Sequence, residues 1–208
     1  MKALLYKDMV SAKTTYLLAL AIMLAIAGYA VYHGAMIIIP FLFAFMPVIL
    51  NAASFGNEAQ SDFPKFVFTT PISRKAYVAS KYILAVLFAT MALISGLILF
   101  YLEHKSLNYA FVIAASSFAV PIIFSSFQIP FILKFGVEKG RIIVVAAYFL
   151  LFAITSYLGD TLSGFIHLVT KISQLNTYVI AGALIAAAIL ILTVSNNIGV
   201  SIMKRKEY

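Results

Sequence analysis

The sequence predicts an all-α protein that crosses a membrane six times, and three observations carry that prediction. Hydrophobic residues make up 63% of the 208 residues and charged residues only 11%, against ~45–50% and ~25% in an ordinary soluble domain. Mean hydropathy is +1.04, and a chain of this length has too little interior to hide so much apolar surface from water. The apolar residues fall into six runs, approximately 16–32, 35–53, 82–102, 110–133, 142–158 and 178–203, none with Lys, Arg, Asp or Glu inside it. Each is close to the ~17–25 residues a helix needs to span a bilayer. Strict alternation is missing, which excludes a closed β-barrel and leaves helices as the way to satisfy the backbone in lipid. A free-standing soluble enzyme, a nucleic-acid module and a disordered tail are excluded on the same grounds. The formal charge of +8 belongs to membrane topology, because the charges sit at the ends of the apolar runs.

The elements follow in order. Residues 1–15 predict an interfacial helix. Leu5, Met9, Ala12 and Tyr16 recur at helical spacing, and Lys2, Lys7 and Lys13 reach anionic headgroups. Lys7, Asp8 and Lys13 also interrupt any signal-peptide-like run. His33-Gly34 leaves room only for a tight hairpin between the first two spans. Pro40 and Pro47 in span two, and Pro121 and Pro130 in span four, each remove a backbone donor.

The stretch 54–81 reads as a loop that mixes charge with aromatic rings. Asp62 caps a short helix, with Pro64 in its first turn and Phe63, Phe66 and Val67 on one face. Thr70-Pro71 ends that helix and Ser73 caps the next. From Ser73 to Leu102 the helix is ~45 Å long at 1.5 Å per residue, against a hydrocarbon core of ~30 Å. Span three therefore starts outside the membrane. Phe63, Phe66 and Phe68, exposed and rimmed by charge, predict a protein contact. The segment 159–177 places Leu162, Phe165, Ile166, Val169 and Ile172 on one helical face, which predicts a short amphipathic helix on the outer leaflet.

Six spans put both termini on one side. Thirteen of the 15 Lys and Arg residues share that side, and Lys105 and Lys171 lie on the other. Basic residues near span ends stay cytoplasmic, so both termini are predicted inside.

No phosphate-binding glycine loop and no His-Glu-x-x-His occurs, the histidines are scattered over three loops, and cysteine is absent. The chain therefore offers no catalytic constellation and no metal site. The spans hold no ionisable residue of the kind that ion-coupled carriers use. Their polar residues include Asn51, Ser125 and Gln128, which are the candidates for lining a translocation path.

Four short stretches carry a resemblance: the basic N-terminus with Lys7-Asp8, Phe55-Gly56-Asn57-Glu58, Thr70-Pro71-Ile72-Ser73-Arg74, and Ser80-Lys81-Tyr82. With the six-span plan, they resemble the membrane subunits of ABC-2-type ATP-driven exporters. Small bacterial permeases that export phenol-soluble modulins and similar amphipathic peptides are the nearest likeness. The resemblance implies a bacterial cytoplasmic membrane protein in which two permease chains, alike or different, dock two separate cytosolic ATPase subunits. ATP and magnesium then belong to the partner, and this chain binds no cofactor and is not itself an enzyme. The short helix near residues 62–68 becomes the coupling helix. The rings of Phe63 and Phe66 would then fill a pocket of the ATPase, with Pro64 in the first turn of the helix and Glu58, Asp62, Lys65, Arg74 and Lys75 as the polar rim. The segment after span five becomes an outer re-entrant element. Two other readings compete: a substrate-binding subunit of an energy-coupling-factor vitamin importer, and a non-transporting immunity or sensory membrane protein. The first does not call for an inner aromatic helix, and an adjacent P-loop ATPase gene would separate the exporter from the second.

Overall fold

The structure is a computed structural model that describes residues 2–36, 38–61, 63–104, 107–140, 142 and 177–206. Among the described residues the ordered elements are helices: α1 (Lys2–Ser11), α2 (Lys13–Tyr32), α3 (Ile38–Gln60), α4 (Phe63–Val67), α5 (Arg74–His104), α6 (Leu107–Phe135) and α7 (Thr177–Arg205). Five of them, α2, α3, α5, α6 and α7, are long and apolar enough to cross a membrane. The expected fifth span at 142–158 and the amphipathic segment at 159–177 lie almost wholly outside the described residues, as does Asp62.

Each long helix turns where its sequence allows. α2 and α3 are joined by a five-residue connection in which Gly34 takes φ +69, a left-handed conformation that glycine adopts without steric cost. Gly136 at φ +88 ends α6 in the same way. Ser73 caps α5 as expected, its hydroxyl accepting from the Ala76 N–H at 3.2 Å. α3 continues to Gln60 and α5 begins at Arg74. Residues 54–60, expected as the start of a loop, are thus helix, with Ser54 and Glu58 held by Asp8, Tyr77 and Lys81 of other helices.

α5, α6 and α7 form the centre of the bundle, with α3 packed on α5 and α6 and with α2 outermost against α3. Ala89, Phe118, Ala119, Ile122 and Ala188 fill the middle of the central three. Small residues let the backbones approach. A Cβ built on Gly96 would lie 3.1 Å from the Ala114 Cα. A second core at one end joins Leu4, Phe55, Val67, Tyr77, Val78, Ile132 and Met203, from six different helices.

The ends of α7 fix its direction. Tyr178 packs edge-on against Phe111, near the start of α6, at 5.4 Å between ring centroids. At the other end the Arg74 guanidinium donates to the Lys204 carbonyl at 2.8 Å. α7 therefore runs parallel to α6 and antiparallel to α5. The chain leaves α6 at the end of the bundle that carries α1, α4 and Lys204, hereafter the basic end, and α7 starts at the opposite end.

α1 departs from the expected single apolar stripe. Leu4, Asp8 and Ala12 are buried against the bundle, while Tyr6, Met9 and Val10 are exposed. The apolar residues are divided between two faces. Lys7, expected to reach lipid headgroups, turns inward to Asp8 and Glu58.

Candidate functional site

The basic end holds the densest polar chemistry among the described residues. α1 supplies Lys7 and Asp8, the last turns of α3 supply Ser54, Asn57 and Glu58, and the first turns of α5 supply Tyr77 and Lys81. Ser54 and Glu58, like Tyr77 and Lys81, are four apart and so share one helix face. The Lys81 ammonium is 1% exposed and donates to both Asp8 carboxylate oxygens at 3.0 and 2.9 Å. It also donates to Ser54 Oγ at 2.7 Å and to Glu58 Oε1 at 2.6 Å. The Phe55 ring lies beneath it, 4.9 Å away at the centroid. The Tyr77 hydroxyl donates to the other Glu58 oxygen at 2.5 Å, and Ser54 Oγ donates to Asp8 Oδ1 at 2.8 Å. Lys7 closes the group by pairing with Asp8 at 2.7 Å and with Glu58.

Two cations and two carboxylates balance, which makes their burial tolerable: a buried charge persists when it is paired and its remaining valences are hydrogen-bonded. Burial alone would raise the Asp8 pKa, but the Lys81 charge and the Lys7 and Lys81 hydrogen bonds outweigh it and hold Asp8 below its ordinary value.

α4 rests on this network. Phe63 lies under the Lys7 ammonium, 4.0 Å from ring centroid to nitrogen. Val67 is buried in the core at this end, and Phe68 meets the Tyr77 ring edge-on at 5.6 Å. The Arg74 guanidinium lies over Phe68 at 5.7 Å. Of the three phenylalanines read as an exposed patch, Phe63 and Phe68 fold back onto the core. Phe66 alone projects outward, with 67% of its surface exposed. Neighbouring Lys65 and the more distant Lys75 are exposed, whereas Pro64 and Arg74 are half-buried.

Glu58, read as part of a polar rim, is 3% exposed and committed to Lys7, Tyr77 and Lys81. It therefore offers no carboxylate to an outside partner in this conformation. The reason is that α3 runs on about two turns beyond its apolar run, which carries Glu58 under α1.

The polar residues of the spans are placed differently. Gln128 on α6 donates to the Val48 carbonyl of α3 at 2.8 Å. Asn51 and Ser125 are fully buried, and their side-chain polar atoms have no hydrogen-bond partner among the described residues. Among the described residues all three are buried in the helix packing. An open apolar groove of about 500 Å³ lies instead between α6 and α7, lined by Phe127, Pro130, Phe131, Leu190, Val194 and Ile198, with Lys134 at its basic end.

The family model for the ABC-2 family transporter protein matches residues 3–204. The chain belongs to the ABC-2 transporter family. No curated protein and no solved structure matches. Membership makes this ABC-2 chain a multi-pass membrane component of a transporter. The matched region takes in α1 and the whole ion network along with the spans.

Asp8 and Lys81 stand in stretches that carry the family resemblance, but neither they nor Ser54 and Tyr77 are site residues on sequence grounds. The available signal was the pair of i, i+4 polar couples at the two span ends, together with adjacent opposite charges in an otherwise apolar N-terminal stretch. What pairs with what was a tertiary matter.

Proposed function

We propose that this ABC-2 chain is the permease subunit of an ATP-driven exporter, and that α4 is the element a cytosolic ATPase subunit grips. The observation that carries this reading is Phe66. An aromatic ring facing outward from a five-residue helix, beside Lys65 and anchored from behind by Phe63, Val67 and Phe68, has the form of an interface anchor. Lys65, Lys75 and Asp62 would make its rim. Hydrolysis of ATP, with its magnesium, belongs to that partner. A second permease chain, the same or different, would complete the path.

The six-span arrangement is part of the reading. Its support is that the described chain leaves α6 at the basic end and resumes with α7 at the other, so the residues between connect opposite ends of the bundle. The basic end then faces the cytoplasm, with both termini, in a bacterial cytoplasmic membrane. Amphipathic peptides or lipid-like molecules suit the apolar groove between α6 and α7, whose few polar atoms would leave a strongly polar cargo unsolvated. Family membership favours this over the vitamin-importer and immunity readings.

The test is Phe66→Asp in the full chain reconstituted with its ATPase. The ring is mostly exposed, so folding and insertion stay intact, with stability within ~0.5 kcal/mol of wild type. Stimulation of ATP turnover by the permease is lost. Transport-coupled turnover equal to wild type would refute the coupling assignment.

A further inference from the structure

Three buried charges, Asp8, Glu58 and Lys81, with the half-buried Lys7 at their edge, stand where an apolar set of the same volume would pack without electrostatic cost. Lys7 and Glu58 border a shallow surface hollow with Asn57 and Phe63, but the charged groups face one another. What they add is register: an ion-pair junction has one good geometry, whereas an apolar contact between helices tolerates sliding. The junction joins three elements distant in sequence, α1 through Asp8, α3 through Ser54 and Glu58, and α5 through Lys81. Asn57 adds a second tie between α3 and α1, donating to the Ser11 carbonyl at 2.7 Å.

Tyr77 connects this junction to α4. Its hydroxyl holds Glu58 and its ring holds Phe68, at the end of α4. Phe63, at the other end of α4, touches Lys7. Any displacement of α4 is therefore delivered to both ends of the network. α1 in turn leads into α2 with only Ala12 between them, and elsewhere α2 is held along α3 by Ala19 against Met46 and Leu50.

We propose that Lys81 is a positioning residue for coupling: it locks α1, the end of α3 and the start of α5 into one body under α4, so that α1 carries α4's movement to α2. This rests on the reading of α4 as the ATPase-gripping helix. It differs from a picture in which α5 alone is the lever and α1 only anchors the chain to the membrane. In the locked body the N-terminal helix is part of the transmission, and the first span moves with the third.

The natural chain has no cysteine, which makes thiol probes clean. The experiment uses the full chain with its ATPase in liposomes and a membrane-impermeant maleimide on Tyr32→Cys, at the far end of α2. Trapping the ATPase with ATP and vanadate is expected to change the labelling rate by about fivefold or more. Asp8→Asn combined with Lys81→Met keeps the charge balanced by leaving Lys7 with Glu58. That variant is expected to bind the ATPase as wild type does, yet to lose the change in labelling. Adding Ser11→Cys and Asn57→Cys, oxidised to a disulfide before labelling, is expected to restore it, because the tie between α1 and α3 is re-made without the ion pair. A full labelling change in the double variant overturns the proposal, and so does a loss that the disulfide does not repair. If the double variant does not fold, Tyr77→Phe removes only the hydroxyl on Glu58 and keeps the ring on Phe68. It is expected to reduce the change about two- to threefold, and no reduction overturns the proposal. Failure of the wild-type chain to bind the ATPase is a distinct result: it overturns the coupling reading, and this inference with it.

Discussion

Lys81 and Asp8 lie 73 positions apart and meet through two hydrogen bonds, 3.0 and 2.9 Å, in a place almost closed to solvent. The pair joins the N-terminal helix to the start of the third described span. Lys81→Met leaves Asp8 and Glu58 buried with only Lys7 to neutralise both. Breaking a buried pair from one side costs ~3–5 kcal/mol. Thermal unfolding in detergent is expected to show that loss for the single variant and a clearly smaller one when Asp8→Asn is added. Equal losses in the two variants would mean that the pair is not energetically coupled.

Asp8 gives the stability a defined pH dependence. Its folded-state pKa is held below the ordinary value by Lys81 and Lys7 against the opposing effect of burial. A depressed carboxylate contributes stability that is fully present above its unfolded pKa of ~3.9 and is lost as pH falls through the lower folded value. The unfolding midpoint should therefore not vary on account of Asp8 between neutral pH and about 5, and should fall on further acidification. Asp8→Asn should flatten that acid limb relative to wild type. An unchanged limb would assign the acid sensitivity to other carboxylates.

Two glycines separate close packing from open surface. At Gly96 an added Cβ meets the Ala114 backbone at 3.1 Å, and a backbone atom cannot rotate away. Gly96→Leu forces α5 and α6 apart and is expected to cost ~1–3 kcal/mol or more. Gly28 on α2 has nothing within 4 Å, so Gly28→Ala is expected to stabilise the helix by up to ~1 kcal/mol. Unfolding midpoints of the two variants should move in opposite directions.

Orientation is testable with single cysteines in this cysteine-free chain. Lys65→Cys, on exposed α4, is expected to react with an impermeant maleimide only after the cells are opened. Tyr32→Cys, at the far end of α2, is expected to react in intact cells. The reverse pattern would place the basic end outside and remove the basis for a cytosolic ATPase contact.

The sequence by itself determined that the chain is helical and spans a membrane, because the bilayer imposes both on any chain with such apolar runs. It also determined local boundaries. Ser73 caps α5, Thr70-Pro71 follows the end of α4, and a glycine turns the first hairpin, since caps and turns depend on neighbours in sequence. Only the tertiary structure decided which face of α1 is inside, that Phe66 projects while Phe63 and Phe68 fold back, and that Glu58 belongs to a closed network. These outcomes depend on partners that are distant in sequence. A lysine four residues past a tyrosine looks the same whether it faces lipid headgroups or a buried aspartate from another helix. What decides is the cost of burying a charge, which falls only when an opposite charge arrives at the same place, and no local pattern records that arrival.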